Sequence, residues 1–247
     1  MDLSRERIPL NTEIRLSIFF IIIFCLFFSF SFSGRQKPQS ISIPKILEKS
    51  EIVRGDTSKK QIIFTFDGGS EAVSGSKILD VMNKYHIKTS FFLTGKFVQN
   101  NPDLVLRMYK EGHEIYNHTL DHPHLTEVSD QEIKRQLEGV DELLQKITGE
   151  SSRPFFRPPY GDRDERVINV AHSIGFRSVY WTHDALDWQE SSGITATEVR
   201  ERILGTLAPG NIYLIHVGDT ISGNILEDLI LEINKRGYKI VSLEQGL

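Results

Sequence analysis

The chain has 247 residues, 39% of them hydrophobic and 25% charged, a balance that suits one globular domain with a sizeable core plus some additional sequence. A formal net charge of −4, with no basic run and no aromatic-interleaved basic patch, excludes a general nucleic-acid-binding role. Cys25 is the only cysteine, which excludes an intrachain disulfide and a thiolate-held metal, so that any metal must be held by His, Asp or Glu.

Residues 16–33 read LSIFFIIIFCLFFSFSFS, uncharged throughout and preceded by Arg5, Arg7 and Arg15. Such a run is the apolar core of a secretory signal peptide, with Ser31 and Ser33 ahead of a cleavage before Gly34, or an uncleaved anchor of about 17 to 20 residues. Residues 1–33 are therefore expected to be a signal peptide or N-terminal membrane anchor. The product is expected to be exported (periplasmic, cell-surface or secreted) and to meet the membrane only through this segment. Residues 34–60 are polar, with Pro38, Pro44 and one short apolar patch from Ile41 to Leu47, and read as a tether.

From residue 61 to 247 short apolar runs alternate with amphipathic helical patterns, the signature of β/α units around a parallel sheet. The expected strands are Ile62–Phe66, Thr89–Leu93, Glu114–Asn117, Pro154–Arg157, Ser178–Trp181, Ile212–His216 and Lys239–Leu243. Between them lie helices with Ile78, Met82 and Tyr85 on one face, then Leu104, Val105 and Met108, then Ile133, Leu137, Val140, Leu144 and Ile147. Ser129 with Glu132, and Thr195 with Glu198, read as capping boxes, and Gly149 and Gly175 as helix stops. The expected fold is α/β, a single-domain distorted or incomplete (β/α) barrel of about seven parallel strands, with an open doubly wound sheet as the alternative closure.

Asp67, His118, Arg157, Asp184 with Asp187, and His216 all fall at or just past the C-terminal ends of expected strands, the edge where active sites of α/β folds are built. Singly, each has a bland reading: a turn at Asp67-Gly68-Gly69, a structural ion pair of Arg157 with Asp187, a core histidine at 216. Jointly they suggest metal-assisted hydrolysis of an acyl bond. His118 and His122, four residues apart, suit a divalent metal if the backbone brings them to one side. Asp67 suits a general base, Arg157 its partner, His216 a general acid and Asp187 the carboxylate that fixes the His216 tautomer. Trp188 suits a cleft wall on which a sugar ring stacks. His86, His113, His124, His172 and His183 read as surface or packing residues.

Five motifs in order, TFDGGS at 65–70, HTLDH at 118–122, RPPYG at 157–161, DALDW at 184–188 and LIH at 214–216, resemble those of the NodB-like polysaccharide deacetylases, a family of metal-dependent carbohydrate esterases. The resemblance spans about 61 to 243. It implies a distorted (β/α) barrel that removes acetyl groups from a polysaccharide with a divalent metal, Zn²⁺ first and Co²⁺ or another ion as alternatives. Residue by residue it implies Asp67, His216, Arg157 and Asp187 in catalysis and His118 and His122 as metal ligands. It places the backbone near Tyr160 at the oxyanion, and Trp188 and Leu214 against the acetyl methyl. One position departs from the pattern. The family's first motif usually carries a second aspartate that completes the ligand set, and here Gly68 stands in its place, leaving water, Asp67 or Glu71 as substitutes. The resulting expectation is a de-N-acetylase of a cell-envelope glycan, peptidoglycan first. An O-acetyl polysaccharide esterase and a glycan-binding pseudoenzyme are the alternatives. A polysaccharide is the expected partner, and no protein partner is implied.

Overall fold

The structure, a computed structural model, describes residues 51–247; the expected signal or anchor and the greater part of the tether lie outside the described residues. The alternation of apolar runs and amphipathic helices resolves into one sheet of nine strands: β1 (Glu51–Ile52), β2 (Gln61–Gly68), β3 (Ser90–Leu93), β4 (Glu114–Asn117), β5 (Phe155–Phe156), β6 (Arg177–Val179), β7 (His183–Asp184), β8 (Ile212–His216) and β9 (Lys239–Val241). Their order is β1-β6-β5-β4-β3-β2-β8-β7, with β9 also on β2, and each pairing is parallel. This is the distorted barrel; among the described residues its end strands β1 and β7 do not pair with each other, which leaves it open.

Around the sheet run α1 (Gly75–Lys84), α2 (Gly95–Asn100), α3 (Pro102–Lys110), α4 (Asp130–Thr148), α5 (Glu165–Ser173), α6 (Ala196–Leu204), α7 (Ile221–Lys235) and the short α8 (Leu243–Gly246). Helix α4 buries Ile133, Leu137, Val140 and Leu144 of the predicted stripe, with Ile147 half-buried at its end, and stops at Gly149 with φ 81°, a left-handed cap that glycine adopts without strain. The Thr195–Glu198 capping box forms in full. At Ser129 only half of one forms: its hydroxyl accepts from the Glu132 N–H, while the Glu132 carboxylate is taken by Arg135 and Gln136.

Two strands escape the sequence reading because two residues carry no periodicity. One is β7. The other is β1, which lies inside the stretch read as a tether and so moves the start of the folded domain back by at least ten residues. Glu51 there is 4% exposed, pairs in register with Ser178 and accepts from Arg163 at 2.6 and 2.9 Å and from the Ser178 hydroxyl at 2.8 Å.

Register positions the site. Strand β2 is buried from Ile62 to Gly68, as a central parallel strand covered on both faces should be. Asp67 pairs with His216 of β8 on one side and Phe92 of β3 on the other. Leu93 pairs with Asn117 of β4, and Asn117 with Phe156 of β5, so His118 and Arg157 leave their strands at the same level. Because parallel strands all end on one rim, four residues from distant motifs become neighbours.

Candidate active site

Arg157 is fully buried, yet it is among the largest side chains in the core. Its guanidinium lies 4.1 Å from the Phe92 ring centre and donates through Nη1 to Asp67 Oδ1 at 2.5 Å. Burying both charges is tolerable only because they pair. Asp67, 4% exposed, thereby has one oxygen fixed, while Oδ2 stands 3.5 Å from His118 Nε2. The bland reading, an ion pair of Arg157 with Asp187, gives way to the two pairs that the chemical reading assigns, Arg157 with Asp67 and His216 with Asp187.

The histidine segment reaches its geometry through a loop rather than a helical turn. Thr119 and His122 have φ of 68° and 62°, left-handed conformations that cost a non-glycine residue of the order of 1 kcal/mol or more each. The loop is held by the Asn117 side chain accepting from Thr119 N–H, the Thr119 hydroxyl accepting from His122 N–H, and Gln136 accepting from Asp121 N–H. Asn117 itself donates to the Leu137 carbonyl at 2.8 Å, which ties the loop to α4. The result brings His122 Nε2 to 3.1 Å from His118 Nε2. The His118 Nδ1–H donates to the Arg157 carbonyl at 2.9 Å, which leaves its Nε2 as a lone pair. Burial holds both imidazoles neutral: it lowers the His118 pKa, and burial followed by the neighbouring His118 pushes His122 down to about 3.

Two neutral imidazoles on one divalent ion, with bonds of about 2.0–2.1 Å, have nitrogens about 3 to 3.4 Å apart, so this pair fits such an ion. Asp67 Oδ2 is the nearest carboxylate oxygen. Among the described residues no group of three or more His, Cys, Asp or Glu is arranged as a complete ligand set. Gly68 contributes nothing, and the space its side chain would enter is already filled: a Cβ there would lie 2.8 Å from both Leu93 Cδ2 and Phe97 Cδ2, atoms of two wholly buried side chains. Gly68→Ala is expected to overpack this contact and lower stability by about 1–3 kcal/mol, read from the urea midpoint. Unchanged stability would mean that Phe97 and Leu93 yield freely and that position 68 remains open to a side chain.

On β8, beside Asp67 in the sheet, His216 Nδ1–H donates to Asp187 Oδ1 at 2.8 Å, and its backbone N–H donates to Asp187 Oδ2 at 2.7 Å. Asp187 is fully buried and also accepts from Trp188 N–H and from the Ser222 hydroxyl. Burial works against charge on His216, but the Asp187 hydrogen bond and the surrounding carboxylates outweigh it and push its pKa up to about 9. Ser222, whose N–H donates to Asp219, joins the site through its hydroxyl. Burial, reinforced by the nearby Asp187 charge, raises the Asp219 carboxyl to about 6. No motif marks either residue; their one sequence signal is position, within six residues past the end of β8.

Asp67, His118, His122, His216 and Leu214 line a cavity of about 510 Å³ whose rim is made by Tyr160 and Trp188, 62% and 53% exposed. Tyr160 has φ 58° and stacks on His124, with ring centres 4.1 Å apart, so His124 supports the wall rather than lying idle on the surface. Asp184 accepts from Leu186 N–H at 2.8 Å and from Trp188 Nε1 at 3.4 Å, which orients the indole. His183 stacks on Tyr213, and His113 packs edge-on against Phe91; both are packing residues.

A family model described as Polysaccharide deacetylase matches residues 54–179. The chain is 35% identical over 190 residues to the peptidoglycan-N-acetylmuramic acid deacetylase PdaA of Bacillus subtilis, covering 77% of this chain and 72% of that one. The solved PdaA structure superposes with a TM-score of 0.77 over 81% of this chain and 86% of that chain, at 33% identity. A peptidoglycan-N-acetylglucosamine deacetylase of Bacillus cereus is 33% identical, covering 76% of this chain and 69% of that one. A pseudoenzyme of the same carbohydrate esterase family 4 from Bacillus anthracis matches with a TM-score of 0.74 at 25% identity, over 79% of this chain and 68% of that one.

Proposed function

The chain belongs to the polysaccharide deacetylase family, and from that premise we propose that it is a metal-dependent hydrolase removing N-acetyl groups from amino sugars of a cell-envelope polysaccharide, peptidoglycan first. The observation that carries this reading is the convergence of two oriented groups on one cavity: Asp67, locked by buried Arg157, and His216, locked by buried Asp187. A structural ion pair needs no cavity beside it, and a retired site needs no imidazole kept charged.

In this reading Asp67 Oδ2 takes a proton from the attacking water, whose oxygen adds to the acetamide carbonyl carbon. The C–N bond then breaks as His216 Nε2–H gives its proton to the departing nitrogen, so that acetate and a free amine leave. Asp187 holds the imidazolium that makes this donation, and the His216 pKa of about 9 keeps the acid form populated at neutral pH. Trp188 and Tyr160, on the cavity's rim, would offer faces for sugar rings, Leu214 an apolar contact for the acetyl methyl, and the backbone at Tyr160 a donor to the carbonyl oxygen as it develops charge. His118 and His122 would hold a divalent ion, Zn²⁺ first, with Asp67 beside them. Such an ion supplies Lewis acidity to the carbonyl and the water. Residues 1–33 would export the protein to its glycan as a cleaved signal or an anchor.

The glycan-binding pseudoenzyme is the second reading, favoured by the packed Gly68 and by likeness to the Bacillus anthracis pseudoenzyme. Acetate release from peptidoglycan, N-acetylglucosamine oligomers and acetylxylan separates them. Release from the first two is expected, to fall at least about tenfold on chelation and return with Zn²⁺ or Co²⁺. Release that ignores chelation would overturn the metal assignment, and release from acetylxylan alone would turn the activity to O-acetyl esters.

A further inference from the structure

The catalytic cavity has a neighbour. A second cavity, of about 360 Å³, shares the walls Asp67, Gly69, Trp188 and His216 with it and is completed by Ser70, Glu71, Glu190, Ser191, Gly218 and Asp219. Both volumes lie in the range of about 300–1,000 Å³ that holds small ligands, and Trp188 is an exposed indole common to the two.

The second cavity carries uncompensated negative charge. Asp67 is matched by Arg157 and His216 by Asp187, which leaves Glu71, Glu190 and Asp219 without an ion-pair partner among the described residues. Among the described residues no lysine or arginine lines either cavity. Glu190 is held in place, one oxygen accepting from Thr220 N–H at 2.8 Å and the other from its hydroxyl. Asp219 is 6% exposed; its Oδ1 accepts from Ser222 N–H at 2.7 Å, while Oδ2, also buried, has no hydrogen-bond partner. A buried carboxylate oxygen without a donor is costly unless a ligand supplies one. A substrate carboxylate brought here would meet three acids, with His216, already paired to Asp187, as the one cationic group on the walls, whereas an ammonium group would be drawn to the acids.

Within the deacetylase reading, on which this inference rests, the cationic group available on the glycan is the C2 amine left by an earlier hydrolysis. We propose that the cavity of Glu71, Glu190 and Asp219 is a subsite for a glucosaminium residue neighbouring the acetylated sugar. The enzyme then favours strands that already carry free amines and disfavours a carboxylated sugar, such as one bearing a lactyl ether, at that place.

Two tetramers with the same β-1,4 backbone and no acetyl groups test this without turnover: glucosamine tetramer and cellotetraose, titrated calorimetrically into the full-chain protein at near-neutral pH, above the raised pKa of Asp219, and at low salt. Glucosamine tetramer is expected to bind about tenfold more tightly, with the gap closing at high salt as the charges are screened. In Glu71→Gln/Glu190→Gln the two ligands should bind with similar affinity. Equal affinities in the unaltered protein, or no binding of glucosamine tetramer, would overturn the proposal. So would a preference that survives in the double variant, because the amine would then sit elsewhere. Amine selectivity without acetate release from any acetylated glycan would instead sink the deacetylase reading and leave the acidic subsite standing.

Discussion

Asp187→Asn is expected to lower kcat by about 10³- to 10⁴-fold, the scale seen when the carboxylate behind a catalytic histidine loses its charge. Asp187 is wholly buried and accepts from four donors: the ring and backbone of His216, the Trp188 N–H and the Ser222 hydroxyl. Asparagine has the same shape but presents an NH₂ to one of those donors, so His216 loses the anion that stabilises its imidazolium. The pH profile separates this from a packing defect. With the His216 pKa raised to about 9, the proton donor is present below that pH and is lost as pH rises through it. The alkaline limb of kcat should therefore lie near 9 and move in the variant toward the ordinary value of 6.5. The same raised pKa makes the pair's contribution to stability complete below 6.5 and lost between there and about 9. That decline should vanish in Asp187→Asn. A variant that merely unfolds, or that works with an unshifted alkaline limb, would return the pair to a structural role.

The second large effect concerns Asp67 and Arg157. Asp67→Asn removes the proposed base and strands a fully buried guanidinium whose Nη2 already has no partner, so a loss of about 3–5 kcal/mol is expected together with loss of turnover. Arg157→Met strands the carboxylate instead and should cost a similar amount. Joining the two changes removes both charges, and the Asp67→Asn/Arg157→Met protein should regain much of the lost stability without regaining activity. Denaturant unfolding and acetate release, measured on the three proteins, check this. If the double variant is no more stable than its parents, the pair is not the coupled unit its 2.5 Å hydrogen bond indicates.

The positions of these residues were legible because a parallel sheet turns sequence order into a rule: the residue that ends each apolar run comes to one rim. Asp67, His118, Arg157 and His216 obeyed it, and the registers of β2, β3, β4, β5 and β8 make them neighbours. What the rule could not reach depends on contacts between remote segments. The two-residue strands β1 and β7 have no period to detect. The loop that converges His118 on His122 uses left-handed backbone at Thr119 and His122, which neither residue type announces. The filling of position 68 depends on Phe97, part of α2, which follows β3 in the chain. Asp219 and Ser222 acquire meaning only once α7 starts beside Asp187.

Hydrolysis of N-acetylglucosamine tetramer by the purified full-chain protein with Zn²⁺, followed by mass spectrometry and amine titration, tests the central claim most directly. One free amine should appear for each acetate released, and none in Asp187→Asn within the same time. Binding of the tetramer and of peptidoglycan with no amine formed from either would contradict the account and make the protein a glycan-binding relative of the deacetylases.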